Sequence, residues 1–266
     1  MIVLVPVYQP GKDLLRLVDD LADAGRDGHP VVVDDGSGPG ATAVLAAARE
    51  RGCTVLRRRV NRGKGVVLKT GFRYVASHHP GRDVVCVDAD GQHRAGDVRL
   101  VAQRMRDTGA LTLGVRRFAG EVPLRSRFGN AVTREAFHLA TGCPLRDTQT
   151  GLRAYPARLL DRLAAIPGSR FEYEMNVLLH AVRDGWPIEQ VEIPTRYRGG
   201  NSASHFSALV DSARIYAALA GFAATRPLAG ARSSGPATDA TGGPSGRTAR
   251  VAARGTRRHP DRVTDS

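Results

Sequence analysis

The chain has little sulfur, few aromatic rings and no long apolar run, and each shortage removes a class of protein. Three cysteines, Cys53, Cys86 and Cys143, are odd in number and far apart, so neither a disulfide framework nor a zinc site is indicated. They are expected to be reduced, two of them in apolar surroundings. No stretch approaches the roughly 18 to 20 uninterrupted apolar residues of a membrane span. Met1 to Pro6 has neither the basic start nor the cleavage pattern of a secretory signal, which predicts a cytoplasmic protein. Aromatic residues are 5% of the chain, and none stands among the eight arginines between Arg226 and Ser266. Basic residues interleaved with aromatic rings are what single-stranded nucleic acid needs, and no helix-turn-helix or RNA-recognition signature appears. Nucleic acid is therefore not an expected partner.

Charge of one sign is plentiful. The net charge is +13; eight Arg against three Asp put +5 in 226–266 and leave +8 on the rest. A basic body suits phosphorylated ligands or an anionic membrane surface. Residues 227–266 are mostly Gly, Ala, Ser, Thr, Pro and Arg. Such a composition cannot offset the entropy of ordering, so a disordered, Arg-rich tail is predicted there.

Hydrophobic periodicity sets the expected order of elements. Ile2 to Val7 reads as a strand, followed by an amphipathic helix through Leu14, Leu15, Val18 and Leu21. Val31 to Val33, Thr54 to Leu56, Val84 to Val87 and Leu111 to Val115 read as further strands, with helices over 41–51, 64–77 and the region of Val98 to Met105 between them. Such alternation predicts a doubly wound, mostly parallel α/β sheet. Further on, helices are expected over Phe128 to Ala140 and Glu172 to Val182, a strand over Ile188 to Ile193, and a last amphipathic helix over Ala208 to Ala224. The polar segment Asp147 to Arg153 is assigned no element.

Val84 to His93 is the stretch on which the chemistry turns: a buried strand ending in Asp88-Ala89-Asp90-Gly91-Gln92-His93. Open α/β sheets bind ligands at the carboxyl ends of their strands. Two carboxylates spaced i and i+2 on a turning backbone can converge on one hard cation, although the same spacing also serves turns and helix caps. Pro6-Val7-Tyr8 and Asp34-Asp35-Gly36-Ser37 end the first two strands at the same edge, where ring and carboxylate can cradle a nucleobase; a capped turn is the alternative. Asn61-Arg62-Gly63-Lys64-Gly65 precedes a helix and suits an anion. It is not a P-loop, since Arg58 and Gly65 stand where glycine and Ser/Thr are required. His78 and His79 read as a solvated helix end and Trp186 as core. Glu172 and Glu174, two apart, do not share a helix face, which argues against an acid–base pair.

Val-Pro-Val-Tyr, Val-Asp-Asp-Gly-Ser, Asn-Arg-Gly-Lys-Gly, Val-Asp-Ala-Asp-Gly-Gln-His, Asp-Thr-Gln-Thr-Gly-Leu-Arg-Ala-Tyr and Phe-Glu-Tyr-Glu-Met occur here in the order that family 2 inverting glycosyltransferases show. Over about residues 2 to 206 the chain resembles the dolichol-phosphate mannosyltransferase and polyprenyl-phosphate glycosyltransferase branch of that family. The resemblance implies a GT-A (Rossmann-like) domain over 1–206; the amphipathic helix at 207–226 then lies on the membrane or on a membrane-embedded partner, with intramolecular packing as the alternative, and the tail follows at 227–266. It implies a UDP- or GDP-sugar donor, Mg²⁺ or Mn²⁺, a polyprenyl phosphate acceptor, and peripheral association with the cytoplasmic face of the membrane.

By motif position, the resemblance assigns base and ribose contacts to Pro6, Tyr8 and Asp34, with Asp35 in the same pocket. Lys64 joins the donor site, and Asp88, Asp90 and Gln92 match the metal and diphosphate triad. Arg116 corresponds to an arginine facing the acceptor phosphate, with Arg125 or Arg127 assisting. Asp147 lies beside the sugar, as organiser of sugar or acceptor or, for a hydroxyl acceptor, as general base. Arg198 and Ser202 match a loop closing over the diphosphate. Two departures stand out: Gln9-Pro10 replaces the usual Asn-Glu, and Asn201 to His205 lacks the usual lysine, for which Arg196, Arg198 or His205 can substitute.

Overall fold

The computed structural model describes residues 1–25, 28–117, 124–194 and 208–225, without the side chains of 124–128 and 208–209. The expected tail and the loop carrying Arg196, Arg198, Ser202 and His205 lie outside the described residues. The elements run β1 (Ile2–Val7), α1 (Lys12–Asp23), β2 (His29–Asp34), α2 (Thr42–Glu50), β3 (Thr54–Arg57), α3 (Lys64–His78), β4 (Val84–Cys86), α4 (Ala95–Thr108), β5 (Leu111–Arg117), α5 (Leu124–Thr141), β6 (Arg153–Tyr155), α6 (Leu160–Ala165), α7 (Glu172–Arg183), β7 (Ile188–Pro194) and α8 (Ala208–Thr225).

The strands form one sheet in the order β3-β2-β1-β4-β6-β5-β7. All neighbours pair in parallel except β6, which runs antiparallel to both β4 and β5. Strand order reverses between β1 and β4, so the carboxyl ends of these two strands flank the crevice where such sheets take ligands. Their register, Ile2 opposite Val84 and Leu4 opposite Cys86, brings Tyr8 and Asp88 out at the same edge.

The central strands of the sheet are buried on both faces, which is why β1, β2 and β4 read as continuous aliphatic runs. Alternate residues of β1 serve different layers. Ile2 and Leu4 join Phe72 of α3, Phe137 of α5, Leu163 of α6, Leu178 of α7 and Ile215 and Leu219 of α8. Val3, Val5 and Val7 join Leu14 of α1, Leu45 of α2 and Val98 and Met105 of α4. Each such aliphatic side chain, fully removed from water, contributes about 1.5–3 kcal/mol. α8 is thereby packed into the core through Ile215 and Leu219, the intramolecular alternative for this helix. Trp186 is buried in the first layer, as expected of a core residue, while His78 is exposed and stacked on Tyr74.

β6 and α6 were not expected from the sequence. β6 has three residues and opens with Arg153, which is 1% exposed. Its guanidinium donates to the carbonyl oxygens of Thr150 (2.9 Å), Thr148 (3.0 Å) and Glu174 (2.8 Å). A buried arginine is tolerated when its donors are satisfied in this way.

Candidate active site

A cavity of about 470 Å³ opens at the carboxyl edge between β1 and β4, lined by residues that include Pro6, Tyr8, Asp35, Lys64, Asp88 and Asp90. Its floor is built by turns with strict backbone demands. After β1 the chain turns through Gln9, the one described non-glycine residue with positive φ (53°), whose N–H donates to Ser37 Oγ at 2.7 Å. This ties the tip of β1 to the tip of β2. Gly36 has φ 74°, and a Cβ there would lie 2.6 Å from the Val60 carbonyl carbon, so only glycine fits.

The adjacent acids after β2 separate in role. Asp34 is fully buried and does not line the cavity. Its carboxylate accepts from the Ser37 N–H (3.1 Å), from the Ser37 hydroxyl and from Arg57 Nε (3.1 Å). The position assigned to Asp34 by resemblance is therefore a turn-forming one here, and Asp35 is the acid in the cavity wall. Asp35 accepts from the N–H groups of Arg62 (3.0 Å) and Gly63 (2.6 Å), and Arg58 Nε lies 3.7 Å away. The backbone donors ahead of α3, read from sequence as a site for a ligand anion, thus hold the protein's own carboxylate. Gly63 also packs tightly: a Cβ would lie 2.6 Å from the Ser169 carbonyl oxygen.

Lys64, in the first turn of α3, reaches Asp88 Oδ1 at 2.8 Å and Glu174 Oε2 at 2.9 Å. Burial alone would disfavour its ammonium, but Asp88 and Glu174 outweigh that and raise its pKa. Burial likewise opposes ionisation of Asp88, yet Lys64, His93 and Arg116 hold its pKa below the ordinary value. Behind it stands Gly151, where a Cβ would overlap the Asp88 carboxylate. Asp90 meets the opposite field: burial and the negative Asp88 push it up to about 6. Gln92 donates to both Asp90 oxygens, from its N–H at 3.1 Å and its side-chain amide at 2.7 Å. Gln92 therefore holds Asp90 and is not among the residues lining the cavity.

Two carboxylates in one wall, one of them destabilised by the other's charge, suit a hard divalent cation such as Mg²⁺ or Mn²⁺. Among the described residues no three His, Cys, Asp or Glu side chains form a metal group by themselves. A cation here needs further oxygen ligands, as a diphosphate supplies.

Asp147 and Arg116 form a closed pair. Arg116 Nε and Nη2 donate to the two Asp147 oxygens at 2.7 and 3.0 Å, and the Gln149 N–H donates to Oδ1 at 3.0 Å. Asp147 is fully buried. A carboxylate held this way orients a guanidinium and is poorly placed to take a proton from substrate. The Arg116 charge also stabilises ionised Asp88 and Asp90, which puts it within electrostatic reach of the cavity. Arg125 and Arg127 fall in α5 where side chains are outside the described set. Two residues in the wall, Arg170 and Phe171, were not singled out in the sequence, and Glu174 behind it was weighed only as an acid–base partner of Glu172. The Phe-Glu-Tyr-Glu-Met motif was the available signal.

The family model for glycosyl transferase family 2 matches residues 2–163. The chain belongs to glycosyltransferase family 2. This glycosyltransferase is 26% identical to the polyprenol monophosphomannose synthase of Mycolicibacterium smegmatis, over 72% of this chain and 76% of that one. It is 25% identical to the UDP-N-acetylglucosamine–dolichyl-phosphate N-acetylglucosaminyltransferase of Methanococcus voltae, over 73% and 85% of the two chains. Among solved structures, it resembles glucosyl-3-phosphoglycerate synthase of Mycobacterium tuberculosis in complex with Mn²⁺, UDP and phosphoglyceric acid, with TM-score 0.65 and 20% identity over 84% of this chain and 78% of that one. At that identity the likeness speaks for the fold, which is GT-A.

Proposed function

We propose that this family 2 enzyme transfers a hexose, with inversion, from a UDP- or GDP-sugar to a polyprenyl monophosphate presented at a membrane surface. The observation that carries the reading is the cavity at the β1/β4 switch with Asp88 and Asp90 in its wall. The names of two relatives, a polyprenol monophosphomannose synthase and a dolichyl-phosphate N-acetylglucosaminyltransferase, support the acceptor class.

In this reading Pro6, Tyr8 and Asp35 receive the nucleoside, while Asp88 and Asp90 would hold Mg²⁺ or Mn²⁺ together with the donor diphosphate. Bound there, the ion supplies Lewis-acid neutralisation of the charge that builds on the departing nucleoside diphosphate. Gln92 fixes the Asp90 carboxylate, and Gly151 leaves Asp88 room. A phosphate acceptor is already anionic at neutral pH and needs steering more than deprotonation. Arg116, aimed by Asp147, provides that steering. A sugar hydroxyl would need a general base, and the clamped Asp147 argues against it.

The test is a screen of the purified protein with Mg²⁺ or Mn²⁺ against UDP- and GDP-sugars, with and without a polyprenyl phosphate, reading release of nucleoside diphosphate. Release that requires the lipid phosphate is expected. Release stimulated equally by a phosphate-free sugar would overturn the acceptor assignment.

A further inference from the structure

Lys64 lies in the cavity wall, yet its ammonium is committed to carboxylates. It stands 2.8 and 3.1 Å from the two Asp88 oxygens and 2.9 Å from Glu174 Oε2, with the Phe171 ring centroid 5.9 Å away. Glu174, in the first turn of α7, is 87% buried at the side chain, and its other charged neighbour is Arg153 Nε at 3.9 Å. Three backbone carbonyls already accept from Arg153, so what Glu174 adds there is charge at longer range. Glu174 is thus matched chiefly to Lys64, and the proposed chemistry gives it no role of its own.

A monovalent ammonium against both oxygens of Asp88 takes up charge and acceptor capacity that a divalent ion would draw on, so the two cations compete for one carboxylate. How readily Lys64 gives way depends on what else compensates its charge, and Glu174 is that second anion.

We propose that Lys64 is the resident counter-cation of the donor site and that Glu174 is the positioning residue that lets it yield Asp88 to an incoming divalent ion. This rests on the donor-site reading above. With Glu174 in place, Lys64 keeps a partner when Asp88 turns to the metal. Without the Glu174 charge, Lys64 has Asp88 alone, the pair tightens, and Asp88 becomes a poorer metal ligand. Without the Lys64 charge, Asp88 is released and Glu174 loses most of its influence on the metal.

The experiment is a double-mutant cycle on Mn²⁺ affinity, read from the electron paramagnetic resonance of free Mn²⁺ at fixed UDP and, separately, fixed GDP. Glu174→Gln is expected to weaken Mn²⁺ binding roughly tenfold or more, the range for a residue that orients a metal ligand. Lys64→Met is expected to bind Mn²⁺ more tightly than the wild type, and Lys64→Met/Glu174→Gln to match Lys64→Met within about threefold, since coupled residues are non-additive. Unchanged Mn²⁺ affinity in Glu174→Gln, weaker binding in Lys64→Met, or a Glu174→Gln loss that persists in full beside Lys64→Met would each overturn the proposal. If Glu174→Gln alone fails to fold, the Lys64→Met arm still decides whether the two cations compete at Asp88, because weaker Mn²⁺ binding in that variant overturns the proposal. Absence of Mn²⁺ binding by the wild type with either nucleotide would instead sink the donor-site reading itself.

Discussion

Asp88 and Asp90 are two residues apart and meet opposite fields, the first held ionised by Lys64 and Arg116, the second pushed toward neutrality by Asp88. A divalent cation removes that conflict, so the charge of Asp90 matters to the ligand more than to the fold. Asp90→Asn keeps the volume and withdraws the charge. It is expected to abolish turnover and the Mn²⁺-dependent part of nucleotide binding, measured by calorimetry with and without Mn²⁺, with a thermal midpoint at neutral pH no lower than the wild type's, since the Asp90 charge is disfavoured in the fold; metal-stimulated turnover in the variant would count against the assignment. Gln9 gives a second test. It adopts φ 53°, a left-handed conformation that costs most residues about 1–2 kcal/mol and that asparagine tolerates better. Gln9→Asn is expected to stabilise the protein by about 0.5–1 kcal/mol, read as a higher urea midpoint at unchanged slope.

Among elements, β5 and the segment 147–151 act as one unit. Arg116 leaves the end of β5 and is clamped by Asp147, while the Thr150 hydroxyl donates to the Gly114 carbonyl of the same strand at 2.6 Å. Arg116→Ala is expected to raise the apparent KM for polyprenyl phosphate roughly ten- to a hundred-fold, since a charge-assisted contact is worth about 1.5–3 kcal/mol, and to leave donor affinity nearly unchanged. Asp147→Asn should move the same parameter less. An equal loss of donor affinity would place Arg116 on the nucleotide diphosphate instead. Long periodic elements were legible in the sequence because their apolar spacing is local: β1, α1 and α4 appear where the pattern put them. β6 was not legible, because three residues show no period and a buried Arg153 is tolerable only through the turn that folds the Thr148 and Thr150 carbonyls back onto it and the Glu174 carbonyl that comes from α7. Asp34 and Asp35 could not be ranked from adjacency alone; the end of β2 faces one carboxylate to Ser37 and Arg57 and the other to the cavity. Glu174 was set aside for a related reason. Helical spacing judged it against Glu172, whereas its partner Lys64 comes from α3.

At the scale of the whole molecule, the positive charge suits the anionic acceptor and membrane surface proposed above. No helix among the described residues is long and apolar enough to cross a membrane, and the net charge is +13, of which +5 lies in 226–266. α8 contributes Ile215 and Leu219 to the core while Val210 and Tyr216 are exposed. Truncation after Arg226 keeps α8 whole. Turnover on a detergent-dispersed acceptor is therefore expected to stay near wild type, while binding to anionic liposomes weakens, each arginine near such a surface being worth about 1 kcal/mol. Loss of turnover in detergent would make the tail part of the active site.

The central claim is that a hexose moves from a nucleotide to a lipid phosphate, and the mass spectrum of the lipid product tests it most directly. With a nucleotide sugar, Mn²⁺ and polyprenyl phosphate, the account predicts a species heavier than the acceptor by one hexose residue, absent with Asp90→Asn or after chelation of the metal. Unmodified lipid alongside a glycosylated phosphate-free sugar, or the same lipid product formed without any divalent ion, would contradict it.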